Sequence, residues 1–313
     1  MFNFFKKTKD KDLIDLLESN LDLADLSIIP KLKEFISTSE NEEKICKAYE
    51  FLGKIGQQNN IAELTNFLIE RYTIEKVKNI KDSIHTAIYW QKKDETINLK
   101  PLTEIIYKYK KNSIVAPIIS LLKSSTNPEA EDALIYIIKN DYDNWTKTQV
   151  NATLHSSGTR KCIPHLAKYL NHKDNDLAGS SFLALIKHSD KRESELFIEE
   201  LENGKCKDSA MEGIVLHSGI EAVDAVIDRL KKKTSRQRKT DCTVYFFIGY
   251  ENEVTIGLKF LNKHKNVRKD IVDFFDFMET KRKDKLFDYE FETLKKLQRT
   301  PYNEGTLQIK NMK

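Results

Sequence analysis

The feature that most limits what this chain can fold into is a repeat. Within residues 144–261, the segments 163–170, 194–201, 223–230 and 254–261 start 31, 29 and 31 residues apart, and each ends in leucine. Each follows a small or polar break: Ser157-Gly158, Ser189-Asp190, Ser218-Gly219 and Gly249-Tyr250. A fixed period of about 30 residues marks stacked supersecondary units, because a single unit cannot bury its apolar face alone.

The unit is helical. Apolar residues recur at helical spacing over 12–20, over 27–36 with Pro30 in the first turn, and over 41–55. The same pattern runs through 75–90, 98–109, 113–125, 266–278 and 286–297. Only 10 Gly and 6 Pro are spread over 313 residues, too few breakers for a sandwich or barrel. Asn127 followed by Pro128 reads as an N-cap with proline at the first helical position.

The string Leu52-Gly-Lys-Ile-Gly56, followed by Ile61-Ala-Glu-Leu-Thr-Asn-Phe-Leu68, resembles the HEAT-like repeat of the phycobilisome-lyase type. Ala184-Leu-Ile-Lys-His-Ser-Asp190 fits the same pattern, and Pro164 stands where that repeat carries a proline. The resemblance spans about residues 27–280. It implies a unit of two antiparallel helices, with a Leu-Gly-x-Ile-Gly break closing the second. The expected fold is therefore an all-α, right-handed α-solenoid. Residues 1–26 would form an N-terminal segment with a capping helix, 27–280 the repeats, and 281–313 a C-terminal cap and tail. Residues 113–125 and 127–134 are expected to form one copy. The register stays open over 72–112 and 125–158, where 143–157 is either an extra helix or half of a degenerate repeat.

The sequence offers no catalytic constellation. It has no Gly-x-Ser-x-Gly elbow, phosphate loop or dinucleotide fingerprint. The four cysteines, at 46, 162, 206 and 242, form no CxxC pair and read as reduced core thiols of a cytoplasmic protein. His188 and His217 recur at one repeat position, but no HxxxH or CxxC pair accompanies them, so they read as core histidines and no metal or cofactor is expected. No apolar run is long enough to span a membrane.

What remains is surface. Second helices of stacked pairs line a groove, and grooves of this kind hold macromolecules. The helix over 144–157 carries polar residues at packing positions, so Trp145, Lys147, Gln149, Asn151 and His155 are candidates for contact with a protein partner. The favoured function is a non-enzymatic binding scaffold, in one version a bacterial regulator or a toxin-neutralising partner. The alternative is nucleic-acid binding, its enzymatic extreme being the HEAT-like DNA glycosylases. The net charge is +4, but residues 229–313 hold 21 Lys and Arg against 12 Asp and Glu. Lys231, Lys232, Lys233, Arg236, Arg238 and Lys239, with Lys281, Arg282 and Lys283, are the candidate phosphate contacts.

Overall fold

In the computed structural model of the protein, four α-helices begin at a side-chain acceptor for their first free N–H groups. The Asn41 side chain accepts from the Lys44 amide, Asn127 from Glu129, Asp143 from Thr146, and Asp174 from Asp176 and Leu177. The structure describes residues 13–14 and 26–218. The described residues hold twelve α-helices and no strand. They are α1 (Ile28–Thr38), α2 (Glu42–Asn59), α3 (Ala62–Ile74), α4 (Lys78–Tyr89), α5 (Lys100–Lys108), α6 (Asn112–Leu121), α7 (Pro128–Lys139), α8 (Asn144–Ser157), α9 (Ile163–Leu166), α10 (Asn175–His188), α11 (Ser194–Asn203) and α12 (Lys207–His217). The chain divides into two compact units after Leu166.

In the first unit, helices pack in pairs and in two layers. The pairs are α1 with α2, α3 with α4, α5 with α6, and α7 with α8. Within one layer α3 packs on α5 and α5 on α7; within the other α2 packs on α4, α4 on α6 and α6 on α8. The core between them is aliphatic: Leu52, Leu68, Ile84, Ile106, Val115, Leu134, Val150 and Leu154 are each no more than 1% exposed. Burying a side chain of this kind is worth about 1.5–3 kcal/mol.

Glycines set the closest approach. A Cβ on Gly53 would lie 2.8 Å from the Ala87 Cα, so α2 and α4 cross backbone to backbone. The Leu52-Gly-Lys-Ile-Gly56 string is therefore no break. It lies inside α2, which runs on to Asn59 and stops at Asn60, a left-handed residue with φ 52°. The pairing also differs from the expected copy of 113–125 with 127–134. The helix at 112–121 is the second member of the pair with α5, and Pro128 opens a first helix whose partner is 144–157. The 144–157 helix is thus the regular second helix of the fourth pair.

In the second unit α10 packs on α12, and α11 on α12. The expected helix over 163–170 is only four residues long, at the end of the first unit, flanked by 3-10 turns at Arg160–Cys162 and Ala167–Tyr169. Proline at 164 can donate no N–H, which confines it to the first turn of a helix. The expected helix at 194–201 is α11, and Gly213 of α12 leaves room for the Phe197 ring, 2.6 Å from where a Cβ would stand. The 223–230 and 254–261 repeats, the two capping segments and both basic clusters lie outside the described residues, apart from residues 13, 14 and 26 of the first cap.

Candidate functional site

One layer of the first unit is formed by α2, α4, α6 and α8. Both tryptophans of the chain, Trp90 and Trp145, belong to it and are each 61% exposed. An indole that far out of a helical core costs apolar hydration unless something covers it.

Trp90 follows α4 as its C-cap residue. A groove of about 450 Å³ lies between α2 and α4, with Gly53 and Ala87 in its lining and Glu50, Lys54, Asp82 and Thr86 around it. A second of about 490 Å³ lies beyond, lined by Asn60, Tyr89, Lys92, Lys123 and Ser124. Trp90 lines both.

The indole is held in place by a run of rings. Tyr89 meets it edge-on, with centroids 4.8 Å apart and planes at 90°. His85 stacks on Tyr89 at 6.4 Å and 23°, and Tyr72 leans on His85 at 6.0 Å. The Ser120 hydroxyl donates to the Pro117 carbonyl, at 2.8 Å. The His85 Nε2, 2.8 Å from the Ser120 Oγ and 3.2 Å from the Pro117 carbonyl, must then carry the proton and donate, which ties α4 to α6. Burial pushes the His85 pKa below its ordinary value, so the ring is neutral near pH 7.

Two residues anchor the end of α4. The Gln91 side-chain amide donates to the carbonyls of Gly53 (2.7 Å) and Ala87 (2.8 Å), bridging α2 and α4. Lys93 is 2% exposed, and its ammonium donates to the carbonyls of Gln91 (2.7 Å), Tyr89 (3.1 Å) and Ile88 (3.3 Å). A cation on the last carbonyls of a helix satisfies groups that have no partner within the helix and complements its dipole. Burial lowers the Lys93 pKa to about 8. The Lys93 carbonyl in turn accepts from the Ser125 hydroxyl (2.8 Å) and the Thr126 amide (2.9 Å). The residues around Trp90 are thus fastened on three sides. Nothing in the string Trp90-Gln-Lys-Lys-Asp94 distinguishes Lys93 from Lys92; only the fold buries one and exposes the other.

The helix singled out from the sequence, α8, divides its residues differently. Trp145 and His155 are exposed, Lys147 and Gln149 are half-buried, and Asn151 is fully buried. Asn151 therefore points into the packed side of α8 and is out of a partner's reach. Asn112 donates from its side chain to the Thr146 hydroxyl at 2.8 Å, so polar groups at packing positions here join α6 to α8.

The histidines and thiols are placed by packing. His217 reaches the Ile186 carbonyl at 2.8 Å and stacks on Phe197 at 6.1 Å, as a hydrogen-bonded core histidine would. His188 is half-buried at the end of α10. Cys162 is buried, its thiol raised to about 12 by burial, and it donates to the Thr159 carbonyl. Cys46 and Cys206 are half-buried and take part in no disulfide among the described residues. Among the described residues no three His, Cys, Asp or Glu side chains stand close enough to hold a metal ion. No described helix is long and apolar enough to cross a membrane.

No family model matches the chain, and no curated protein matches it. Among solved structures it is similar to a crystal structure of an engineered protein, at 14% identity and a TM-score of 0.44, over 92% of this chain and 84% of that one. A likeness that loose carries no argument about function.

Proposed function

We propose that the protein is a non-enzymatic binding scaffold of the cytoplasm, its helix pairs forming a HEAT-like α-solenoid, and that it holds a protein partner along the layer of second helices. The observation that carries this reading is Trp90, exposed by 61%, met edge-on by Tyr89 and lining two grooves. Interface energy concentrates in a few central residues, tryptophan prominent among them. A side chain already fixed in place loses little entropy on binding. The centre of the face is accordingly the α4 end, with Trp145 and His155 of α8 farther along the same layer.

Nucleic-acid binding through the basic clusters at 231–239 and 281–283 is the competing reading. Photo-crosslinking residues placed at Thr86 and His155, in the second-helix layer, and at Glu63 and Glu104, in the other, separate the two inside the native cell. Protein adducts at 86 and 155 but not at 63 and 104 are expected. Adducts to nucleic acid alone, or equal yields in both layers, would sink the proposal.

A further inference from the structure

We infer that the two grooves beside Trp90 read a peptide segment bearing one basic and one acidic side chain, the basic one lying between α2 and α4 and the acidic one between α4 and α6. This rests on the protein-binding reading above and gives it a chemistry. The α2–α4 groove is lined by two carboxylates, Glu50 and Asp82, against one ammonium, Lys54. The neighbouring groove is lined by two ammonium groups, Lys92 and Lys123, and no carboxylate. The indole that divides them has a π-face of the kind that attracts a cation, and a guanidinium or ammonium laid on it would keep the Glu50 and Asp82 carboxylates close by.

The charges are available. Glu50, Asp82 and Lys123 are exposed, and none belongs to the ion pairs of the described residues. Lys92 is paired with Asp94 at 3.0 Å, which leaves Lys123 as the cation with no competing carboxylate. The α2–α4 groove also has a shallow floor, since Gly53 and Ala87 put backbone where other helix pairs put side chains. A long aliphatic stem can lie flat on such a floor while its charged end reaches the rim. A phosphate backbone fits less well, because it would bring negative charge past Glu50 and Asp82.

Opposite fields on the two sides of one fixed ring give direction as well as affinity. A peptide laid across Trp90 the wrong way round would set like charges against each other at both ends, and that discriminates more than either attraction alone.

The test is a library of random octapeptides sorted on the immobilised full-length protein. Enrichment of at least tenfold is expected for members that pair Lys or Arg with Asp or Glu. Sorting on Glu50→Lys/Asp82→Lys should abolish the preference for the basic residue, and sorting on Lys123→Glu the preference for the acidic one, with circular dichroism showing both variants as helical as the parent. Enrichment of apolar or singly charged members, indifference to both charge swaps, no enrichment at all, or displacement of the selected peptides by an eight-nucleotide oligothymidine would overturn the inference. Crosslinks from position 86 that join only to this chain, within or between copies, would also overturn it by giving the groove another occupant. Selected peptides that are lost with Trp90→Ala but show no charge preference would remove the charge assignment and leave the binding face standing. Peptides that ignore Trp90→Ala would remove both.

Discussion

Helices α4 and α8 occupy the same place in their pairs, as second helices of the same layer, and one exposed tryptophan belongs to each. They use their polar residues in opposite ways. At α4 the polar and charged side chains fix the helix end from beneath, through Gln91 and Lys93, and the indole is left standing between grooves. At α8 the polar side chains Asn151 and Thr146 are fully buried, and neither described groove is lined by Trp145. The first arrangement fastens a helix end beneath an exposed indole; the second holds helices together. Two tryptophans of equal exposure thus stand in different settings, and exposure alone does not tell them apart.

The comparison breaks most easily at the α2–α4 crossing. Gly53→Val puts branched carbons into the Ala87 backbone, and overpacking of this kind should cost about 3 kcal/mol, read as a lowered midpoint in urea. An unchanged midpoint would mean that α2 and α4 can part, and Trp90 would then lack its fixed floor.

Lys93 gives the next largest effect, and its sign is diagnostic. Burial holds its folded pKa at about 8 against an ordinary 10.5. Between those values the unfolded chain keeps the proton that the folded chain has released, so this group's contribution to stability rises with pH across the window, by roughly 3 kcal/mol, and is constant below it. Tyr72 and Tyr142, both raised to about 12 by burial, act in the opposite direction above pH 10. The measurement is therefore the difference between the parent and Lys93→Met from pH 7 to 10.5. A flat difference would show that Lys93 is hydrated.

On the other side of the comparison, Asn151→Ala should destabilise by about 2 kcal/mol, because it leaves a cavity where a fully buried side chain stood in α8. A partner-binding defect with no loss of stability would instead put Asn151 on the surface. Trp90→Ala should weaken partner binding by about 2 kcal/mol while moving the unfolding midpoint far less, as measured by titration with a peptide selected on the parent protein. Trp145→Ala is the smallest change, within about 0.5 kcal/mol in stability. If its effect on binding matched that of Trp90→Ala, the two helices would share the work and the contrast between them would fail.

Local signals carried much of the helix assignment. Asn127 and Pro128 start α7 as their chemistry requires, since a side-chain acceptor and a fixed φ act within one turn. The stripes over 41–55 and 194–201 became α2 and α11 for the same short-range reason. Pairing was harder to read. The gaps on either side of α7, 122–127 and 140–143, are both short, so nothing local tells which helix is the partner of α7.

The amino-acid sequence by itself determined that the described residues are helical and where most of their helices begin. Periodicity and capping are properties of a few neighbouring residues, and they survive without knowledge of what lies opposite. Tertiary structure alone decided that Gly53 and Gly56 are places of close approach rather than a break, because the Ala87 backbone and the Gln91 side chain fill the space a Cβ would need. It also decided that Lys93 is buried beside Lys92 exposed, that Asn151 faces inward while Trp90 stands out, and that grooves of opposite charge flank one ring. Burial and field depend on residues about 30 positions away in the chain, and those are brought together only when the helices stack.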